Sequence, residues 1–133
     1  MYLISLIEDQ RNRLIDKWVE LLYDHPESEY DRDAIPELDQ ICGEGLDACV
    51  ALLKGEKDPF LKDFVRHILD KRTEWNLESA DILRFFWELR KAVISVAETG
   101  GDPGAPDWKD MHSHLDPCIE AGVIHLVDAL ESD

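Results

Sequence analysis

The chain has 133 residues, of which 44% are hydrophobic, and its 30 acidic and 14 basic side chains give a formal net charge of −16. This length and apolar content predict one globular domain over residues 1–133, with a core that needs no disulfide or structural metal. The negative charge argues against nucleic-acid or anionic-membrane partners. Because no secretory leader and no apolar stretch of about 20 residues is present, we expect a cytoplasmic protein.

The spacing of apolar residues predicts five helices and no strand. In chain order the helices are Leu3–Tyr23, Pro36–Leu53, Pro59–Trp75, Leu77–Thr99 and Trp108–Leu130. The fourth is apolar on nearly all sides, so we expect it to lie at the centre. The predicted fold is therefore an all-α single-domain bundle of about five helices.

Glycines and prolines give the clearest signals for the helix limits. Gly55 predicts the end of the second helix. Pro117 leaves two possibilities open, since it can kink one long fifth helix or follow an Asp116 that caps a new one. Gly43 and Gly45 inside the second helix indicate either a close helix contact or simple tolerance of a residue that weakens helices.

Three cysteines bear on the redox state. Cys42 and Cys49 lie about 10 Å apart along one predicted helix, which is beyond the reach of a disulfide. A cross-helix pair of Cys118 with either of them stays possible. Without a secretory signal we expect all three thiols to be reduced.

Two arginines lie among apolar residues on their helical faces. At about 100° per residue, Arg90 lies about 120° from the polar stripe that contains Arg84 and Glu88. Arg72 lies in the same way on the apolar face of the third helix. If buried, each arginine needs a carboxylate or carbonyl partner. The acidic candidates for Arg90 on other helices are Glu44, Asp47, Asp39 and Asp70.

Large aromatic side chains are concentrated around the third and fourth helices. They are Trp75, Phe85, Phe86 and Trp87. Together they offer more apolar surface than one core face needs, and an exposed patch of that kind usually marks an interface. We therefore expect a homodimer in which these residues contribute to the contact.

Three segments of the chain resemble a known family: LIEDQRNRLIDKWVELLYDHPESEY, KDPF and HILDKRTEWNLESADILRFFWELRKAV. They resemble the N-terminal sensory domain of the RsbR and RsbRD type stressosome co-antagonists, bacterial regulators of the general stress response. Similar domains precede some sensor kinases. The resemblance covers about residues 3–130, with Trp18, Arg72, Leu89 and Arg90 as its recognisable marks.

The resemblance implies a helical domain, globin-like without haem in the RsbR relatives, that pairs with itself and passes a signal to an attached output module. This chain departs from that pattern because no sulfate-transporter-like antagonist domain or kinase follows residue 133. It is either a free-standing version or a piece of a longer protein. A free-standing version would act through a separate partner.

The function we expect is that of a non-enzymatic signalling or protein-interaction domain without cofactor. The alternative is a small-ligand or haem-binding helical sensor with a pocket under the fourth helix, for which His67 is the first candidate residue. A metal-dependent hydrolase is a third possibility, because the residues Asp110, His112, His114, Asp116 and Cys118 include pairs with i, i+4 spacing. His112 and His114 face different sides of a helix, so we predict no metal site.

Overall fold

The computed structural model describes residues 2–24, 35–56, 59–71, 74, 78–99 and 108–132. Within these ranges every regular element is an α-helix. The helices are α1 (Tyr2–Asp9), α2 (Arg11–Asp24), α3 (Ile35–Leu53), α4 (Pro59–Lys71), α5 (Ser79–Thr99) and α6 (Trp108–Ser132). The all-α prediction is confirmed, and no helix in the described ranges is long and apolar enough to cross a bilayer.

The helix count differs from the prediction at one point, where the first predicted helix is two helices that meet at Gln10. The Gln10 N–H donates to the Leu6 carbonyl and the Leu14 N–H donates to the Gln10 carbonyl, each at 2.9 Å. The sequence has no Gly or Pro at this junction. The apolar periodicity therefore continues across it without a signal for the break.

The end of α3 follows from the predicted Gly55 stop. Gly55 has φ of +78°, a left-handed conformation that glycine adopts without steric penalty. Its N–H donates to the Leu52 carbonyl at 3.0 Å, and the Glu56 N–H donates to the Ala51 carbonyl at 2.9 Å. These two bonds form a Schellman motif, which satisfies carbonyls that the helix end leaves without partners.

The limits of α5 and α6 also have local causes. The Asp81 carboxylate accepts a hydrogen bond at 2.9 Å from the Glu78 N–H, which is the backward half of a capping box at the start of α5. Pro117 lies inside α6, which continues from Trp108 to Ser132. Of the two possibilities for Pro117, the structure has one long helix.

Five helices pack in a closed ring, in the order α2, α3, α4, α6, α5 and back to α2, while α1 contacts α2, α3 and α6. One apolar cluster fills the interior. At its centre the Trp18 ring packs against Phe64 and Phe85, and the Trp18 indole N–H donates to the Phe85 carbonyl at 2.9 Å. The expectation that the fourth predicted helix is central is wrong, because α5 is one member of the ring with its Trp87 side exposed.

Two glycines permit close approach inside this ring. A Cβ on Gly45 would lie 2.7 Å from the Trp18 ring and 2.9 Å from the Phe64 ring. On α6, Gly122 lies against the Phe86 ring so closely that a Cβ would overlap it. The sequence left close helix contact and simple tolerance as explanations for the glycines of α3. For Gly45 the explanation is close contact.

Candidate functional site

The helices α5 and α6 run antiparallel, and two contacts set their register. Arg90 on α5 lies opposite Asp116 on α6, and Phe86 lies opposite Gly122. The four residues from Arg90 back to Phe86 on α5 therefore lie along the six residues from Asp116 to Gly122 on α6. This register decides which side chains of the two helices share a surface.

Arg90 finds its carboxylate on α6. Its Nε donates to Asp116 Oδ1 at 3.0 Å, and its Nη2 lies 3.4 Å from His112 Nδ1. The Arg90 side chain is 36% exposed, so the pair lies at the surface and not in the core. Of the two directions that the helical pattern allows for Arg90, the core or a partner, the core is wrong, because a helical wheel does not show how far the neighbouring helix covers a side chain.

The acidic partners predicted for Arg90 are wrong as well. Glu44 lies 2.7 Å from His67 Nδ1, and Asp47 accepts from Arg11 at 2.6 Å. These contacts join α3 to α4 and to α2, whereas Arg90 faces α6. Arg72 and Trp75, the other residues expected at a site or interface, lie outside the described residues.

Among the described residues, Glu88 is the charged side chain that is buried. It is 4% exposed, and Lys91 Nζ lies 3.5 Å from its Oε1. The sequence places Glu88 on a polar stripe, but it lies three residues from Phe85, on the side of α5 that packs against α2. Contact with α2 therefore covers a position that a single-helix pattern assigns to solvent.

The aromatic run 85–87 is divided between core and surface. Phe85 and Phe86 are fully buried within the chain's own core, so the expectation that they contribute to an interface is wrong. Trp87 is 57% exposed. Because successive helical residues point about 100° apart, three consecutive side chains cannot share one face.

Trp87 belongs to an apolar surface that we call the outer face, formed by α5 and α6. Ile124 and Val127 on α6 are also exposed, at 52% and 40%, and these three are the exposed large apolar side chains of the described residues. The flanks of the outer face are the partly buried Leu83, Ile94 and Val123. Exposed charged side chains border it on both helices, with Lys91 and Glu98 on α5 and Glu120 on α6, and the Arg90–Asp116 ion pair lies between the helices.

The space between the core side chains of the described helices is small where α3, α4, α5 and α6 meet. It is lined by Gly45, Phe64, Phe86 and neighbouring side chains and measures about 10 Å³, which is roughly the minimum for one water molecule. Larger cavities of about 290, 450 and 620 Å³ are grooves between helices at the surface. His67, the candidate for a haem or proton-linked role, is paired with Glu44.

The histidines of the candidate metal cluster lie on two sides of α6. His112 and Asp116 face α5, where both are close to Arg90. His114 and Cys118 line the groove of about 290 Å³ that α6 forms with α3. Among the described residues no group of three or more His, Cys, Asp or Glu side chains is arranged to hold a metal.

Cys49 of α3 and Cys118 of α6 line the same small space between their helices. A hydrogen bond with Cys118, together with burial, raises the pKa of Cys49 well above the usual thiol value. The same bond lowers the pKa of Cys118, although partial burial opposes the effect. Cys42 lies apart in the core, where burial raises its pKa. All three thiols are free, and of the two cysteines that the sequence left as possible disulfide partners of Cys118, Cys49 is the one that lies beside it.

Comparisons with family models, with curated proteins and with solved structures find no match to this chain. The resemblance to the stressosome sensory domain therefore stays a prediction from the sequence.

Proposed function

We propose that this chain is a non-enzymatic signalling or protein-interaction domain that pairs with a second copy of itself through the outer face and relays a signal to a partner protein. The observation that carries the proposal is the exposure of Trp87 beside Ile124 and Val127. Exposed aromatic residues with apolar neighbours are typical anchors of protein interfaces. The resemblance to the self-pairing, globin-like stressosome domains supports the same interpretation.

Charge favours a second copy as the occupant. The chain as a whole is strongly acidic, so two copies repel each other in most orientations. The outer face also offers charges of opposite sign, because Lys91 borders it on α5 and Glu120 borders it on α6, while Arg90 and Asp116 pair with each other within the chain. A two-fold axis through this face would place α5 of each copy on α6 of the other, so that opposite charges meet twice.

Sedimentation equilibrium over the micromolar range tests the pairing. We expect wild type to form a dimer, Trp87→Ser to weaken it at least about 30-fold, and the matched control Lys62→Ser on α4 to leave it unchanged. A monomer at all concentrations would contradict the proposal, and so would a dimer that Trp87→Ser does not weaken.

A second variant separates charge complementarity from net charge. Glu120→Lys makes each copy two units less negative, so general repulsion alone predicts a tighter dimer. If Glu120 instead meets a basic residue of the second copy, the substitution weakens the dimer. A tighter Glu120→Lys dimer would show that the copies do not pair α5 against α6.

A further inference from the structure

We propose that Cys118 and Cys49 form a peroxide-reactive thiol pair, in which Cys118 is oxidised at the wall of the α3–α6 groove and Cys49 then closes a disulfide behind it. Two placements support this division of roles. Cys118 is partly exposed and lines the groove of about 290 Å³ with Leu53 and His114. Cys118 and Cys49 also line one small space of about 10 Å³ together, so the two side chains are neighbours. Cys118 is thus the thiol that a small hydroperoxide can reach, and Cys49 is buried next to it.

The hydrogen bond between the thiols favours the same order of reaction. It lowers the pKa of Cys118 and raises that of Cys49, so Cys118 ionises at a lower pH than the buried Cys49. The thiolate is the reactive form of cysteine. Cys42 lacks both features, since it is fully buried and its pKa is raised.

The reaction is balanced with hydrogen peroxide as the oxidant. The Cys118 thiolate attacks one peroxide oxygen, the O–O bond breaks, and the products are Cys118 sulfenic acid and hydroxide, which takes up a proton to become water. The Cys49 sulfur then attacks the sulfenic sulfur, the S–O bond breaks, and the leaving hydroxide takes the Cys49 proton as a second water. Two electrons pass from the thiols to the peroxide.

The Cys49–Cys118 disulfide would link α3 to α6 covalently. The helices α3 and α6 touch directly, although α4 separates them in the ring order. A disulfide between them would close a loop of nearly seventy residues, and long loops lose the most unfolded-state freedom on cross-linking. Oxidation should therefore raise Tm by about 10 °C, reversibly with a dithiol reductant.

Peptide mapping after treatment of the reduced full chain with equimolar hydrogen peroxide tests the pair. Cleavage before aspartates separates Cys42 from Cys49 at Asp47, so each thiol is assigned without substitution. We expect a cross-link between the peptides of Cys49 and Cys118, together with the rise in Tm. The Cys42→Ala control should give the same cross-link.

Two variants isolate the steps. Cys49→Ala should leave Cys118 as a sulfenic acid that dimedone traps, and Cys118→Ala should abolish both the cross-link and the rise in Tm. If Cys49→Ala does not fold, Cys118→Ala carries the test because its position is partly exposed. A disulfide between two copies through Cys118, or oxidation confined to Cys42, would overturn the proposal.

Discussion

The two glycines of α3 should respond in opposite ways to the same substitution. A Cβ on Gly45 lies 2.7 Å from Trp18 and 2.9 Å from Phe64, so each ring must shift by roughly 0.5 to 0.7 Å to restore ordinary contact. Both rings are fully buried, and the Trp18 indole is held by its hydrogen bond to the Phe85 carbonyl. Overpacking of this kind costs about 1–3 kcal/mol, against about 1 kcal/mol gained from helix propensity. Gly45→Ala should therefore lower the free energy of unfolding by up to about 2 kcal/mol.

Gly43 lies on the same helix but meets a different neighbour. Its added Cβ would lie 3.0 Å from Arg11 Nη2, the far end of a flexible and partly exposed side chain. The Arg11 guanidinium can move and still donate to the Asp47 carboxylate. Gly43→Ala should therefore leave the free energy of unfolding unchanged or raise it by up to about 1 kcal/mol. The two variants should thus differ in free energy of unfolding by about 1–2 kcal/mol, or roughly 1 M in the urea midpoint. Equal midpoints would refute the packing described around Gly45.

Three further outcomes follow from the contacts. Arg90→Ala should lower the free energy of unfolding by no more than about 1 kcal/mol in urea, because its pair with Asp116 is exposed; a loss near 3 kcal/mol would mean that Arg90 is buried in solution. Trp18→Phe should cost about 2 kcal/mol in thermal unfolding through the lost hydrogen bond and unfilled volume, and an unchanged Tm would contradict this. Iodoacetamide should reach half its maximal rate with Cys118 at a lower pH in wild type than in Cys49→Ala, since Cys49 lowers the Cys118 pKa; identical pH profiles would exclude that hydrogen bond.

Helix limits were predictable wherever the sequence carries a local stop or cap. Gly55 ends α3 where its conformational freedom predicts, and the limits near Pro59 and Thr99 agree with the apolar pattern. The break between α1 and α2 at Gln10 was not predictable, because no Gly or Pro marks it. Local signals of this kind act within a few residues, so they report where a helix stops better than whether it continues straight.

The side-chain contacts of the candidate site could not be predicted from the pattern of a single helix, because they depend on which helices pack against each other. The pattern of α5 gave the direction of Arg90 correctly relative to its own helix, but the partner Asp116 follows from the ring order. Glu88 is buried for the same reason, since α2 covers its flank. The exposure of Trp87 could have been predicted, because two buried phenylalanines immediately before it leave the third side chain pointing away from the core.

Closure of the ring by α6 has a consequence for how the protein is made. The four helices that precede it in the ring, α2 to α5, are synthesised first, yet Phe86 is covered only when Gly122 of α6 packs on its ring. Until then a nascent chain presents aromatic surface that belongs inside, which is the condition under which unfinished chains associate or recruit chaperones. Because α6 is synthesised after the other helices of the ring and completes their core, premature termination within 108–132 should yield an aggregating product and not a smaller stable domain.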